Sequence, residues 1–197
     1  MTAFDSFHHA TLGQLLTRQA AQHPDQIFIT LNDRRWTYAE AEQQATALAS
    51  ALLNLSLQPG DRLAAILPNL PECVLTIFAA AKAGLILTPI NIRRHRVEVQ
   101  ARLRKTQATA VITTADHLSL LHELQIELPA LRHLIAIDGD GDAMVLNGER
   151  ERGARAGPHV AGRRRGAGLF REAWRVNDDA VGKSGGVDEE QGQGGDE

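Results

Sequence analysis

Short apolar segments alternate with helix-forming segments from Leu63 onward, and this alternation constrains the fold more than any other feature. Apolar runs of strand length occupy residues 63–67, 85–88, 109–113 and 133–138. Helices are predicted between them, over residues 69–84, 96–105 and 116–123. Because the connections are short, successive strands require right-handed crossovers. The sequence therefore predicts an α/β fold, with a mainly parallel sheet and helices on both faces.

Two helices are predicted before these strands, and each opens with the same local motif. Thr11 with Gln14, and Thr37 with Glu40, have the spacing of a capping box. The first helix is expected to end near residue 22 and the second near residue 55. The second helix carries an apolar stripe at helical spacing. The stripe comprises Ala41, Ala45, Leu48, Ala49, Leu52 and Leu53.

Turn and cap residues predict where other elements begin and end. Residues 27–31 form an apolar strand, residues 32–35 have turn chemistry, and Trp36 begins a return strand. Asn69 is the expected N-cap of the helix over residues 69–84, with a proline in its first turn. Gly84 is the expected end of that helix.

The chain changes character after Asn147. Twelve of its 17 glycines lie in the last 50 residues. Only seven large apolar residues follow Asn147, too few to form a core that offsets the entropy of ordering the backbone. We therefore expect an α/β part at residues 1–147 and a disordered, low-complexity tail at residues 148–197.

The tail divides again by charge. Residues 150–175 hold eight arginines and two glutamates, a net charge of +6, in a background of glycine and alanine. Residues 176–197 hold Lys183 and seven acidic residues, a net charge of −6, in a background of glycine and glutamine. Neither segment shows helical or strand periodicity, which is typical of disorder.

Composition argues against several classes of protein. The 21 basic and 24 acidic residues give a net charge of −3, unlike a nucleic-acid binder with a broad basic surface. A single cysteine, Cys73, excludes an internal disulfide framework and fits a reducing compartment. No secretory signal is visible. The longest apolar stretch, residues 74–90, is interrupted by Lys82, Gly84 and Pro89, so we expect no transmembrane segment and a cytoplasmic location.

Three metal or nucleotide motifs are weak. Aspartates at 138, 140 and 142 with Glu149 resemble a calcium loop, but Ala143 replaces the required glycine and a strand precedes the loop. A solvated acidic turn is favoured there. Lys183 ends a sequence like a phosphate-binding loop, but Asn177 stands where that loop needs glycine. The eight histidines show no metal-ligand spacing. No metal ligand is assigned.

Cys73 and the arginines after residue 91 each have two interpretations. Cys73 lies in the first turn of a predicted helix, where the helix dipole lowers a thiol pKa, but its apolar neighbours favour a small buried side chain. Arg93, Arg94 and Arg96 form either a solvated loop and helix start or an anion site for a phosphate group.

A series of motifs in the first 138 residues resembles the N-terminal portion of adenylate-forming enzymes, most closely acyl-CoA synthetases. Each motif is weak alone, but seven occur in the family's order and spacing. They are Thr-Leu-Gly-Gln-Leu-Leu at 11–16, Ala-Gln-His-Pro-Asp at 21–25, Trp-Thr-Tyr-Ala-Glu at 36–40, Pro-Gly-Asp-Arg at 59–62, Leu-Pro-Asn at 67–69, Phe-Ala-Ala-Ala-Lys-Ala-Gly at 78–84 and Thr-Pro-Ile-Asn at 88–91.

The resemblance implies a two-step ligation. A carboxylic acid substrate attacks the α-phosphate of ATP, giving an acyl-adenylate and pyrophosphate, and coenzyme A then displaces AMP to give a thioester. Magnesium bridges the phosphates. Arg93 matches the arginine of the family's Asn-x-Arg element, which implies a contact with a phosphate of coenzyme A. Arg94 stands where the family usually has leucine.

The sequence also departs from the family pattern. The phosphate loop, of the form Ser-Gly-Thr-Thr-Gly-x-Pro-Lys-Gly, is absent from the 197 residues, and so are the family's later adenine, ribose, hinge and catalytic-lysine motifs. We therefore expect an N-terminal synthetase fragment that is inactive alone, with no catalytic residue assigned. The altered tail composition suggests a frameshift after about Ala143. The alternatives are a non-catalytic α/β interaction module or one half of a split synthetase, whose partner is a separate downstream fragment.

Overall fold

The computed structural model describes residues 10–91, 95–137 and 143–147, the last of these as backbone only. Its secondary structure consists of helices α1 to α5, strands β1 to β7 and one 3-10 turn. In chain order these are α1 (Leu12–Gln22), β1 (Ile27–Leu31), β2 (Arg34–Thr37), α2 (Tyr38–Asn54), β3 (Arg62–Ile66), α3 (Pro71–Lys82), β4 (Ile86–Pro89), α4 (Arg96–Thr106), β5 (Ala110–Thr114), the 3-10 turn (Ala115–His117), α5 (Leu118–Glu127), β6 (His133–Ile137) and β7 (Ala143–Asn147).

Both predicted capping boxes are formed. The Thr11 amide donates to Gln14 Oε1 at 2.9 Å, and the Gln14 amide donates to Thr11 Oγ1 at 3.3 Å. The corresponding bonds between Thr37 and Glu40 measure 2.8 and 3.2 Å. Because each box satisfies amides that have no partner inside the helix, it fixes where that helix begins. The predicted return strand is present, since β1 and β2 form an antiparallel hairpin, but it begins at Arg34, two residues before Trp36.

The main sheet has five strands in the order β4-β3-β5-β6-β7. The pairs β3–β4, β3–β5 and β5–β6 are parallel, whereas β7 pairs antiparallel with β6. The predicted α/β fold with a mainly parallel sheet is confirmed. Strand β7 was not predicted, because the acidic residues before it were interpreted as a turn after the last strand. Those residues, 138–142, lie outside the described residues.

Helices cover both faces of the sheet. On one face α2 and α3, with Leu16 of α1, pack against Leu63 and Ile112. On the other face α4 and α5 pack against Ile66 and Val111. Alternate residues of β3 and β5 therefore belong to opposite clusters, and burial of each leucine or isoleucine contributes about 1.5–3 kcal/mol.

Two local predictions were wrong. Asn69 is exposed, and the N-cap of α3 is Leu70, which makes no side-chain cap hydrogen bond. Because Leu70 precedes Pro71, it is pushed out of the helical region (φ −112°, ψ 158°), so the helix begins after it. On α2, Leu53 is 43% exposed whereas Gln44 is 2% exposed. A step of 100° from buried Leu52 carries residue 53 toward solvent.

Gly84 ends α3 as predicted. Its φ of +70° lies in the left-handed region, and a Cβ there would lie 3.1 Å from Pro59 Cβ. The tail at residues 148–197 lies outside the described residues, so its disorder and the boundary at 147 stay predictions. Within the described ranges, no helix is both long enough and apolar enough to cross a bilayer.

Candidate functional site

The parallel strands create a switch point between β3 and β5. These strands are neighbours, but β3 leads into α3 on one face whereas β5 leads into α5 on the other. The chain therefore leaves the carboxyl ends of β3 and β5 in opposite directions and opens a crevice there. Ligands of open α/β sheets bind at such a point, outside the carboxyl ends of the strands. This crevice is the candidate functional site.

A buried hydroxyl ties the two strands together at the crevice. Thr113, the penultimate residue of β5, is fully buried, and its Oγ1 donates to the Ile66 carbonyl oxygen at 3.0 Å. Ile66 is the last residue of β3. The bond crosses between the strands where their loops diverge, so it fixes the base of the crevice.

The loop after β5 supplies further polar groups. Thr114 Oγ1 lies 3.2 Å from His117 Nδ1, across the 3-10 turn. Both side chains are half-buried. The loop after β3 contributes exposed Asn69, and Asn91, also exposed, follows β4. Hydroxyl, imidazole and amide groups of this kind orient a ligand through hydrogen bonds.

Cys73 lies in the first turn of α3 and is half-buried. Burial raises the pKa of the Cys73 thiol. The cause is desolvation, which penalises the charged thiolate. The side chain is a neutral thiol at neutral pH, as the packing interpretation predicted, and it is unsuited to act as a thiolate nucleophile.

The predicted anion-site residue Arg93 lies outside the described residues, as does Arg94. Asn91 precedes the pair and His95, the N-cap of α4, follows it. Arg96 is described, and it forms ion pairs with Glu123 and, at 3.2 Å, with Glu127 on α5. Arg96 therefore has carboxylate partners, which favours a structural role for this arginine.

The described residues contain no group of three or more histidine, cysteine, aspartate or glutamate side chains that could hold a metal ion. Among the described residues, the side chains assigned to the crevice offer hydroxyl, imidazole and amide groups, an arrangement that can bind and orient a ligand.

Comparison with known proteins identifies the family. The family model for AMP-binding enzymes matches residues 16–172. The chain belongs to the AMP-binding enzyme family. The resemblance to adenylate-forming enzymes predicted from the seven motifs is confirmed.

Relatives of this AMP-binding family member include peptide synthetases and CoA ligases. Triostin synthetase I of Streptomyces triostinicus is 32% identical over 131 residues, which cover 66% of this chain and 24% of that protein. Crotonobetaine/carnitine–CoA ligase of Escherichia coli is 34% identical over 105 residues, covering 53% of this chain and 20% of that protein. This chain therefore spans a quarter or less of either relative.

Solved structures share the fold. The N-terminal domain of FACL13 from Mycobacterium tuberculosis superposes with a TM-score of 0.60 and 27% identity. The match covers 66% of this chain and 33% of that one. The α/β fold of this AMP-binding family member is thus shared with about a third of the N-terminal domain of that protein.

Sequence reasoning missed the switch point and Thr113. The order in which strands pair cannot be read from an alternation of strands and helices alone, since either side of β3 is open to the next strand. The one available signal was the Thr113-Thr114 pair at the end of an apolar run, where polar residues begin at a strand's carboxyl end.

Proposed function

We propose that the chain is the N-terminal part of an acyl-CoA synthetase, a ligase that joins a carboxylic acid to coenzyme A through an acyl-adenylate. One observation carries the proposal. Two motifs of the family-like series lie at the carboxyl edge of the sheet: the motif at 67–69 follows β3, and the motif at 88–91 begins with the last two residues of the neighbouring strand β4. The motifs therefore lie where an α/β sheet binds ligands.

The 197-residue chain is proposed to be inactive by itself. The complete reaction uses ATP, magnesium and coenzyme A. The residues present do not fit an ATP–magnesium complex, because the sequence lacks the phosphate loop and the described residues offer no metal-ligand cluster. No catalytic step is assigned to this chain.

Arg93 is proposed to contact a phosphate of coenzyme A. The support is its position between Asn91, after the carboxyl end of β4, and the N-terminus of α4. The planar guanidinium group of an arginine suits a phosphate ligand. We further propose a cytoplasmic location, which the single cysteine supports.

Isothermal titration separates these proposals. The 197-residue chain is titrated with ATP and, separately, with coenzyme A, and the coenzyme A titration is repeated with Arg93→Gln and with the control Arg35→Gln on the β1–β2 hairpin. We expect no heat of binding from ATP, and weak coenzyme A binding that Arg93→Gln alone reduces. Saturable ATP binding contradicts the inactivity proposal, and equal coenzyme A binding by both variants contradicts the role of Arg93.

A second candidate is one half of a split synthetase. Strands β4 and β7 are the edges of the described sheet, and Ile86 on β4 is 53% exposed. Apolar edge residues of this kind suit a partner that continues the fold. Mixing the chain with the downstream part of a related ligase, starting before its phosphate loop, tests this. Acyl-CoA formation that requires both pieces favours the split enzyme, and no acyl-CoA formation by the mixture argues for the fragment alone.

A further inference from the structure

Helix α4 presents a basic face to solvent. Its buried side consists of Val99 and Leu103, which pack into the core. The solvent-exposed half of the helix carries Arg102 and Lys105 on one flank and Arg104 on the other, all exposed. Among the described residues, no carboxylate forms an ion pair with any of these three cations.

The same face contains apolar surface. Val97 is 73% exposed, and Ala101, one turn further along, is also exposed. A shallow groove follows this side of α4 and is lined by Glu98, Ala101, Arg102 and Lys105. Because Glu98 shares the face with three cations, the face has a net charge of +2. We call Val97, Ala101, Arg102, Arg104 and Lys105 the α4 basic face.

One segment of the chain complements this face in both charge and polarity. Residues 187–190 read Val-Asp-Glu-Glu, a valine followed by three carboxylates, within a segment of net charge −6. We propose that residues 187–190 dock onto the α4 basic face. Val187 covers Val97 and Ala101, and the carboxylates pair with the cations on the two flanks of the helix.

The distance along the chain permits this contact. Forty residues lie between Asn147, the last described residue, and Asp188. A Gly-rich chain of that length has a root-mean-square span of roughly 35 Å, about the diameter of a domain of this size. Attachment to the same chain gives the segment an effective concentration on the order of millimolar, which allows weak charge pairs to form.

The arginines of residues 150–175 compete for the same carboxylates. Helix α4 has the advantage that its cations are carried on a packed helix beside an apolar patch, so that less conformational entropy is lost on pairing. A carbodiimide couples carboxylates to lysine and does not couple them to arginine. Competition by these arginines would therefore appear as a loss of cross-links to Lys105.

Zero-length carbodiimide cross-linking of the full 197-residue chain, followed by mass spectrometry, tests the proposal. The reagent joins a lysine amine to a carboxylate in contact with it. The sequence has only three lysines, Lys82, Lys105 and Lys183. Lys82 already pairs with Glu42 at 2.7 Å, so the Lys82–Glu42 cross-link serves as an internal control.

We expect Lys105 to cross-link to Asp188, Glu189 or Glu190. Raising the salt from about 10 mM to about 1 M shortens the Debye length from about 30 to about 3 Å and should reduce this yield at least fivefold. Arg102→Gln with Arg104→Gln should reduce it about threefold or more. Arg34→Gln with Arg35→Gln, on the distant hairpin, should leave it unchanged.

Three results would overturn the proposal. The first is the absence of Lys105 cross-links, as competition from residues 150–175 predicts. The second is an even spread of Lys105 cross-links over all seven carboxylates of residues 176–197, which indicates unspecific attraction. The third is cross-linking between isotopically heavy and light chains mixed before reaction, which assigns the contact to a second copy.

Discussion

Lys82 on α3 donates to Glu42 Oε1 on α2 at 2.7 Å, and this ion pair joins the helices that cover one face of the sheet. The Lys82 ammonium also donates to Thr17 Oγ1 on α1 at 2.9 Å. The side chains of Lys82 and Glu42 are 15% and 21% exposed. Three helices therefore meet at one partly desolvated charge pair.

Replacing Lys82 with methionine should destabilise the protein. The substitution leaves the Glu42 carboxylate without its cation, and its Oε2 already lacks a partner. Because the pair is partly exposed, we expect a loss of about 1–3 kcal/mol in the free energy of unfolding, less than for a fully buried pair. Urea denaturation measures it. Lys105→Met, on the exposed side of α4, is the control and should change stability by less than about 0.5 kcal/mol.

Thr113→Val tests the bond at the base of the crevice. The two side chains have similar shapes, but valine cannot donate to the Ile66 carbonyl, which is buried between β3 and β5. We expect a loss of about 1–2 kcal/mol in the free energy of unfolding. The control is Thr30→Val, which removes an exposed hydroxyl group from strand β1. If both variants unfold at the same urea concentration, the Thr113 bond does not stabilise the crevice.

Alanine substitutions at Gly60 and Gly84 distinguish the cost of backbone strain from the cost of a steric contact. Gly60 and Gly84 both have positive φ, +89° and +70°. A Cβ at Gly60 meets nothing within 4 Å, whereas at Gly84 it lies 3.1 Å from Pro59 Cβ. Gly60→Ala should cost about 1 kcal/mol from backbone strain alone, and Gly84→Ala should cost more because Pro59 must move. Thermal unfolding of both variants ranks them, and a larger loss for Gly60→Ala would contradict this assignment.

The raised pKa of Cys73 predicts a loss of stability at alkaline pH. Because burial raises the pKa of the folded thiol above its ordinary value, the folded state holds the proton more tightly than the unfolded state. The contribution is fully present below the unfolded pKa, about 8.5, and is lost as pH rises toward the folded pKa. Urea denaturation between pH 7 and 10 measures it. Cys73→Ala should flatten this part of the profile, and an unchanged slope would show that Cys73 is not its source.

The local elements could be predicted where short-range chemistry decides them. Thr11 and Thr37 open their helices because the capping box needs only residues three positions apart. Gly84 ends α3 because only a residue tolerant of positive φ fits there. The four parallel strands follow from runs of apolar residues, since strands buried on both faces leave no polar alternation.

The remaining features depend on contacts distant in sequence. Strand β7 pairs with β6, but the acidic residues before it were interpreted as a turn that follows the last strand. The Asp-Gly pairs of residues 138–141 were a usable hairpin signal between two apolar runs. Asn69 failed as an N-cap because Pro71 moved the helix start by one residue. The partnership of Thr113 with Ile66 needs the order of strands in the sheet, which spacing alone does not determine.

Carboxylate-dependent exchange of pyrophosphate into ATP tests the central claim most directly, since it reports adenylate formation without requiring coenzyme A. The purified 197-residue chain is assayed with a set of short, medium, long-chain and aromatic carboxylic acids. We predict exchange equal to that of a control without protein for every acid, because the phosphate loop is absent from the sequence. Exchange above that control with any acid, lost when the acid is omitted, would contradict the proposal that this chain is an inactive scaffold.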